Sequence, residues 1–267
     1  MPSTKASWED FKISYRNKLK NPVTIELLEN KIVITAHIKF SKNLLEPYAL
    51  VNTGFRKKGE EPKPEGYTYA DAAIEGIKDS WGKEYILPGR EEPVKVEVNL
   101  VRFDDPDAKF NPKQRFFTMR YSKVSDTSFV SSQPWRWVWG LFGYLSLEST
   151  MLNWSRTFPG IINMKKYKFL PTFKKTCAHE FGHILGIGDA YGARYRFYYE
   201  VPDSTGYMMN NNVEVQPEEL MMVLRAHQTG RMQYFPIVFN FKTYFDGLKR
   251  EIKYYQKQIS KSHKSKH

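Results

Sequence analysis

The sequence has little cysteine and no long apolar run. Cys177 is the single cysteine among 267 residues, so no intramolecular disulfide can form and a disulfide-stapled scaffold is excluded. The longest aromatic and apolar run, from Trp135 to Leu147, contains Arg136 and two glycines and is too short to span a bilayer. We therefore expect no transmembrane segment. The first twenty residues lack an apolar core followed by small residues, so no secretory signal is visible.

Acidic residues are scarce relative to basic ones. The chain has 41 Lys and Arg against 29 Asp and Glu, a formal net charge of +12. Part of the excess follows Glu251, in a run without acidic residues that contains Lys253, Lys257, Lys261, Lys264 and Lys266. This run predicts a basic C-terminal helix or tail over 242–267, which acidic surfaces would attract at long range. Such runs are more often solvated than part of a binding site, and charge alone does not indicate a specific nucleic-acid partner.

Several segments have the residue pattern of a strand or of a helix. The predicted strands are 31–40, 94–103 and 115–122, and the predicted helices are 68–81, 171–186 and 217–227. A loop is expected at 56–67. The segment 123–168 is left unassigned, with a short edge strand at 149–157 as an open alternative. Gly76 weakens the first helix prediction, because an interior glycine costs helix stability. Together these elements predict an α+β fold.

Residues 179 to 183 are HEFGH, a match to the HExxH pattern on a predicted helix. Histidines four residues apart share one helical face, so His179 and His183 can offer neutral imidazole nitrogens to one Zn²⁺. Glu180 lies beside them and can accept a proton from zinc-bound water as the water attacks a carbonyl. The competing explanation is an accidental match, which arises in roughly one chain in a hundred of this length.

The residues after the motif supply a third candidate ligand. Two residues, Gly186, two more residues and Asp189 follow His183, which gives HExxHxxGxxD. Gly186 can adopt the left-handed conformation that ends a helix and turns the chain back, so Asp189 can reach the same metal. The pattern resembles the metzincin clan of zinc peptidases, whose third ligand is usually His, and an Asp there is similar to the snapalysin-type variant. The resemblance implies a zinc-dependent endopeptidase with Glu180 as general base and a peptide or protein substrate.

The resemblance also implies an organisation for the rest of the chain. Metzincins have a methionine turn beneath the metal, and in STGYMMNNN we expect Met209 in that role, with Met208 as the alternate. Adjacent methionines are otherwise ordinary core residues. A metzincin-like fold implies a twisted mixed sheet with the active-site helix, in one catalytic domain over 1–241. Its N-terminal subdomain would end at about residue 188, and a smaller helical C-terminal subdomain would begin at about 189. The strand, helix, strand order before the zinc helix agrees with that N-terminal subdomain.

Other metal ligands remain open. A second class of zinc peptidases takes its third ligand from a downstream glutamate, and the chain offers Glu200, Glu214, Glu218 and Glu219. The usual donor lies on a separate helix, which makes Glu218 or Glu219 the better candidates. His227 lies near a helix end, where a lone histidine is more often structural. Cys177 points about 160° away from His179 on the helix, so we expect a small buried residue there and no ligand.

Two other interpretations of the function are open besides an ordinary secreted zinc peptidase. A basic binding protein with a structural or vestigial zinc site is one, but structural zinc is usually closed by four ligands rich in Cys. An effector peptidase delivered into other cells is the other, and would reconcile the motif with the missing signal. We therefore expect a location outside the producing cell. The aromatic segment from Trp135 to Trp154 is predicted to contribute to the edge and wall of a peptide cleft.

Overall fold

The structure is a computed structural model. It describes residues 18–48, 65–122, 127–132, 152–167, 169–191, 201–236 and 241–264. The predicted loop at 56–67 lies mostly outside the described residues, as do Trp135, Trp137 and Trp139 of the predicted cleft segment.

Seven strands form one sheet. They are β1 (Val23–Leu28), β2 (Lys31–Phe40), β3 (Glu84–Tyr85), β4 (Val94–Arg102), β5 (Phe117–Tyr121), β6 (Phe129–Ser131) and β7 (Ile161–Met164). The order is β3-β4-β2-β5-β7-β6, and β1 pairs antiparallel with the first part of β2. Strands β4, β2, β5 and β7 are mutually parallel, whereas β3 and β6 are antiparallel to their neighbours. The sheet is therefore mixed.

The described residues contain five α-helices. They are α1 (Tyr69–Trp81), α2 (Leu170–Ile184), α3 (Met208–Asn211), α4 (Pro217–Thr229) and α5 (Phe241–Lys264). A mixed sheet with separate helices confirms the α+β prediction at this level. The basic segment predicted near the C-terminus is helical from residue 241 to residue 264. No helix of the described residues is long and apolar enough to cross a membrane.

The first helix begins and packs as its sequence dictates. Thr68 caps α1 through a capping box with Asp71, which satisfies backbone donors at the helix start. Gly76 faces α2, where a Cβ would lie 2.5 Å from the carbonyl oxygen of Lys174. The glycine that weakened the helix prediction therefore allows α1 and α2 to approach closely.

The sheet buries one face against α1 and α2. Strand β2 alternates buried and partly exposed residues along its whole length, and Ile32, Ile34 and Ile38 are fully buried. The predicted strands at 31–40, 94–103 and 115–122 are confirmed to within two residues at each end. The predicted helices at 68–81, 171–186 and 217–227 are likewise present.

The edge strand left open at 149–157 does not form in the part of that segment that is described. Residues 152–154 have no strand structure, and Ser155 makes only an isolated bridge to Phe158 three residues later. Among the described residues, the edge strand beside β7 is β6. In the segment 123–168 apolar and polar residues do not alternate clearly, so its strands and their pairing could not be predicted from the sequence.

Candidate metal centre

Helix α2 carries His179 and His183 on one face and buries both. Leu170 and Pro171 begin the helix, and proline is favoured in the first turn because its missing N–H has no helical partner there. The two imidazoles are 5% and 3% exposed. Two tryptophan side chains donate hydrogen bonds to carbonyls of this helix: Trp81 Nε1 to Ala178 O at 2.9 Å and Trp154 Nε1 to Ile184 O at 3.0 Å.

The end of α2 brings Asp189 back to the histidines. Gly186 has a φ of 94°, its N–H donates to His183 O at 3.0 Å, and the N–H of Ile187 donates to Gly182 O at 3.2 Å. These two bonds form a Schellman motif with glycine at the position that favours a positive φ. The turn reverses the chain so that Asp189 lies over the helix.

The carboxylate of Asp189 contacts both imidazoles. Its Oδ1 lies 3.0 Å from His179 Nε2 and 3.5 Å from His183 Nε2, and one ligand atom from each of the three residues lies within 4.8 Å of the others. Tetrahedral zinc with ligands at about 2.0 to 2.1 Å places neighbouring ligand atoms about 3.3 to 3.4 Å apart. The two measured separations bracket that spacing. The three residues therefore fit a zinc ion by donor type and by distance.

The remaining nitrogen of each imidazole is held by a backbone carbonyl. His179 Nδ1 lies 2.8 Å from the carbonyl oxygen of Met208, and His183 Nδ1 lies 2.9 Å from that of Ile187. A ring nitrogen that donates to a carbonyl fixes the tautomer and leaves Nε2 as the metal-binding atom. Both rings therefore present Nε2 to Asp189 in the arrangement that a metal needs.

The charges of His179, His183 and Asp189 shift one another's pKa values. Burial alone would lower the pKa of His179, but the hydrogen bond with Asp189 and the charge of that carboxylate raise it to about 9. Burial opposes ionisation of Asp189, yet the two histidines hold its pKa well below its usual range. Without metal, protonated imidazole and carboxylate stabilise one another. A cation at the same position would displace those protons.

Glu180 is buried beside the histidines and Asp189. It is 4% exposed, and its Oε2 has no hydrogen-bond partner among the described residues. Burial raises its pKa, the charges of His179 and His183 oppose that shift, and Asp189 adds to it. A buried carboxylate oxygen without a partner is costly unless a ligand or solvent satisfies it. Glu180 is therefore suited to accept a proton from a bound molecule.

The two methionines of the predicted turn have different contacts. Met208 contributes the carbonyl that holds His179. Met209 packs its sulfur under α2 at Gly182, where an added Cβ would collide with the Sδ atom. Both side chains are fully buried, and the carbonyl of Met209 accepts a hydrogen bond from the N–H of Ala190. The segment thus contacts α2 and the chain next to Asp189.

The glutamates considered as alternative ligands have other contacts, as far as they are described. Glu219 is fully buried, and its carboxylate accepts hydrogen bonds from the N–H groups of Met208 (3.3 Å), Met209 (2.7 Å) and Gln216 (2.7 Å). Burial raises its pKa to about 7 against the effect of those bonds. Glu214 pairs with Lys83 at 2.7 Å, and Glu218 is exposed. Glu200 lies outside the described residues.

Three other residues singled out in the sequence belong to the core. His227 is fully buried with its ring edge-on to Trp154, and burial lowers its pKa to about 3. Trp154 is 6% exposed, and its Nε1 donates to Ile184 O at 3.0 Å, so it supports the end of α2 as a core residue. The cleft prediction was made for the whole segment from Trp135 to Trp154, most of which lies outside the described residues. Cys177 is buried and free, and burial raises the pKa of its thiol.

Some residues that organise the centre were not found from the sequence. The carbonyls of Met208 and Ile187 orient the histidines, but backbone acceptors leave no signature in residue type. Glu219 had a partial signal, because Gln216 followed three residues later by Glu is a capping-box pattern. Nothing in that pattern shows that the same carboxylate also binds the methionine segment ten residues earlier.

Comparisons with protein-family models, with curated proteins and with solved structures find no match. The function therefore has to be inferred from the chain's own residues.

Proposed function

We propose that this chain is a zinc-dependent endopeptidase of metzincin type, with His179, His183 and Asp189 as zinc ligands and Glu180 as general base. The observation that carries the proposal is the convergence of both Nε2 atoms on Asp189 Oδ1 in a buried centre. Three protein ligands leave a position for substrate or water, as in catalytic zinc sites. A structural site would be expected to close with a fourth protein ligand, rich in Cys.

The donor set fits zinc better than other common cations. Imidazole nitrogens suit zinc and related transition metals, whereas Ca²⁺ and Mg²⁺ prefer oxygen ligands. Zinc, when bound, supplies Lewis acidity that activates water and polarises a peptide carbonyl. The carbonyls of Met208 and Ile187 keep the imidazoles in the required tautomer.

Glu180 performs the proton transfers in this proposal. Its buried carboxylate takes a proton from the attacking water and returns it to the nitrogen of the leaving amine. Burial raises its pKa, which brings its basicity closer to neutral pH. The unpartnered Oε2 atom leaves one oxygen available to the water.

Two features of the fold support the metzincin resemblance. Strand, helix and strand precede the zinc helix in the order β2, α1, β4, as that family's N-terminal subdomain would require. Met209 packs its sulfur against α2 at Gly182, which lies between the two histidines in the sequence, and this contact supports the assignment of Met209 as the turn methionine. We assign the substrate-binding edge to β6, which is an edge strand of the sheet among the described residues, because an edge strand can offer backbone groups to an extended peptide.

The test is cleavage of a mixed peptide library by the zinc-loaded chain and by Glu180→Gln. The amide can neither take nor return a proton, so we expect cleavage to fall by roughly a hundredfold to ten-thousandfold while zinc content is kept. The control is Glu218→Gln, which changes an exposed glutamate on α4 and should leave the rate unchanged. Equal cleavage by Glu180→Gln, or none by the zinc-loaded wild type, would contradict the proposal.

A further inference from the structure

Helix α5 has an exposed apolar stripe. Its members are Phe241, Tyr244, Phe245, Leu248 and Ile252, which are 72%, 37%, 55%, 38% and 51% exposed. At 3.6 residues per turn these positions fall within about 100° of the helix circumference. Isolated exposed apolar residues need no explanation, but five in one continuous stripe on one helix indicate a contact surface.

The sequence of this helix is strongly basic. From Phe241 to Lys264 the helix has seven Lys and Arg and two acidic residues. Lys249 and Lys253 project beside the stripe, and Lys249 is largely exposed even though it lies 3.8 Å from Asp246. An apolar stripe flanked by cations is the pattern of a helix that lies in the plane of a membrane surface.

Next to the other edge of the stripe, the helix has a buried line. Gly247 and Glu251 lie one turn apart on it and are both buried. The stripe itself is exposed, so it can meet a flat external surface without uncovering that line.

We infer that α5 is a membrane-surface anchor that binds bilayers containing anionic lipid. Charge complementarity selects this partner, since the helix and the whole chain are positively charged, the latter by a formal +12. A second copy of the same chain would bring like charges together. A nucleic acid would use the cations but leave the aromatic and aliphatic stripe in water. The inference goes beyond the proposed peptidase function and does not depend on it.

The experiment is co-sedimentation of the full chain with vesicles of phosphatidylcholine alone or with one third phosphatidylserine. We expect binding to the anionic vesicles and little to the neutral ones. Leu248→Ser with Ile252→Ser should weaken binding at least tenfold, because both side chains enter the interface. The matched control is Leu28→Ser with Ile86→Ser, which removes an exposed leucine and an exposed isoleucine elsewhere and should bind as the wild type does.

A second pair of variants separates the charge contribution. Lys249→Glu with Lys253→Glu should weaken binding more than twentyfold, at about fivefold for each cation lost from the surface. Lys109→Glu with Lys113→Glu makes the same change in net charge at exposed positions outside the helix and should have a much smaller effect. If the serine pair lowers the melting temperature, Phe245→Ser alone replaces it.

Three results would overturn the inference. Absence of binding to anionic vesicles at low salt is the first. Binding that the serine variants leave unchanged is the second, because the stripe would then take no part. The third is a dimer of the wild type that the serine variants dissociate, since the stripe would then be an interface between two copies of the chain.

Discussion

His227 shows how burial alone can separate a structural histidine from a ligand. Its ring packs edge-on to Trp154, at 5.6 Å between ring centroids, and the backbone of Leu185 hydrogen-bonds with it. Burial favours the neutral form, whereas at the metal centre Asp189 favours the protonated form of His179. The pKa of His227 is thus lowered and that of His179 is raised. Of these histidines, His179 and its neighbour His183 have the carboxylate partner, Asp189, with which they can bind a metal.

His227 should make the chain less stable in acid. Burial lowers the pKa of His227 in the folded chain to about 3, whereas an unperturbed histidine has a pKa of about 6.5, so below pH 6.5 the unfolded state binds a proton that the folded state excludes. The free energy of unfolding should therefore fall by up to about 1.4 kcal/mol per pH unit as pH drops from 6.5 towards 3.

The measurement is urea unfolding of wild type and His227→Gln at several pH values. Both proteins have the metal centre, so its contribution cancels when the free energy of unfolding of His227→Gln is subtracted from that of the wild type. This difference in the free energy of unfolding should become smaller as pH falls below 6.5, because only the wild type loses the contribution of His227. Parallel curves across that range would show that His227 is not buried as a neutral group.

At the scale of elements, the candidate metal centre is formed where α2, its Schellman turn and the segment that contains Met208 and Met209 meet. The ends of α2 and the face that holds the two histidines could be predicted, because histidine spacing, a proline in the first turn and Gly186 are local signals. The position of β6 could not, since three residues of an edge strand contain too little alternation to detect. Nor could the contact between Gly182 and Met209, which joins residues far apart in sequence.

That contact predicts an unusual effect of Gly182→Ala. Alanine in place of glycine within a helix normally stabilises it by about 1 kcal/mol. Here the added Cβ collides with Met209 Sδ and lies 3.2 Å from Trp81, so we expect net destabilisation of about 1 to 3 kcal/mol. Zinc affinity should fall as well, because the displaced segment includes the Met208 carbonyl that orients His179.

The check is a double-mutant cycle with Met209→Ala, measured by thermal unfolding and zinc titration. Removal of the thioether should recover part of the stability lost in Gly182→Ala, which gives a coupling energy of about 0.5 kcal/mol or more. Strictly additive effects would show that the two residues do not contact one another.

At the scale of the whole molecule, the proposed zinc ligands join two parts of the chain. His179 and His183 belong to the helix that follows the sheet, and Asp189 precedes the segment that leads to α3 and α4. Glu219 on α4 adds a second connection through its hydrogen bonds to the methionine segment. Metal binding should therefore stabilise the chain as a whole.

Zinc should raise the melting temperature of the wild type. At a free zinc concentration one hundred times the dissociation constant, the gain is about 2.7 kcal/mol, or roughly 5 to 10 °C for a chain of this size. A chelator should reverse the shift. Glu180→Gln should show the same shift as the wild type, because it keeps all three proposed ligands. An equal melting temperature with zinc and with chelator would contradict metal binding by the folded state.

The most direct measurement is the zinc content per chain after metal-sparing purification, in wild type, Asp189→Ala and Glu218→Ala. We predict one zinc per chain in the wild type and in Glu218→Ala, and markedly weaker retention in Asp189→Ala, which keeps two of the three ligands. The account would be contradicted by a wild type that holds no zinc and takes up none on titration. Retention of zinc by Asp189→Ala with unchanged affinity would contradict the proposed third ligand.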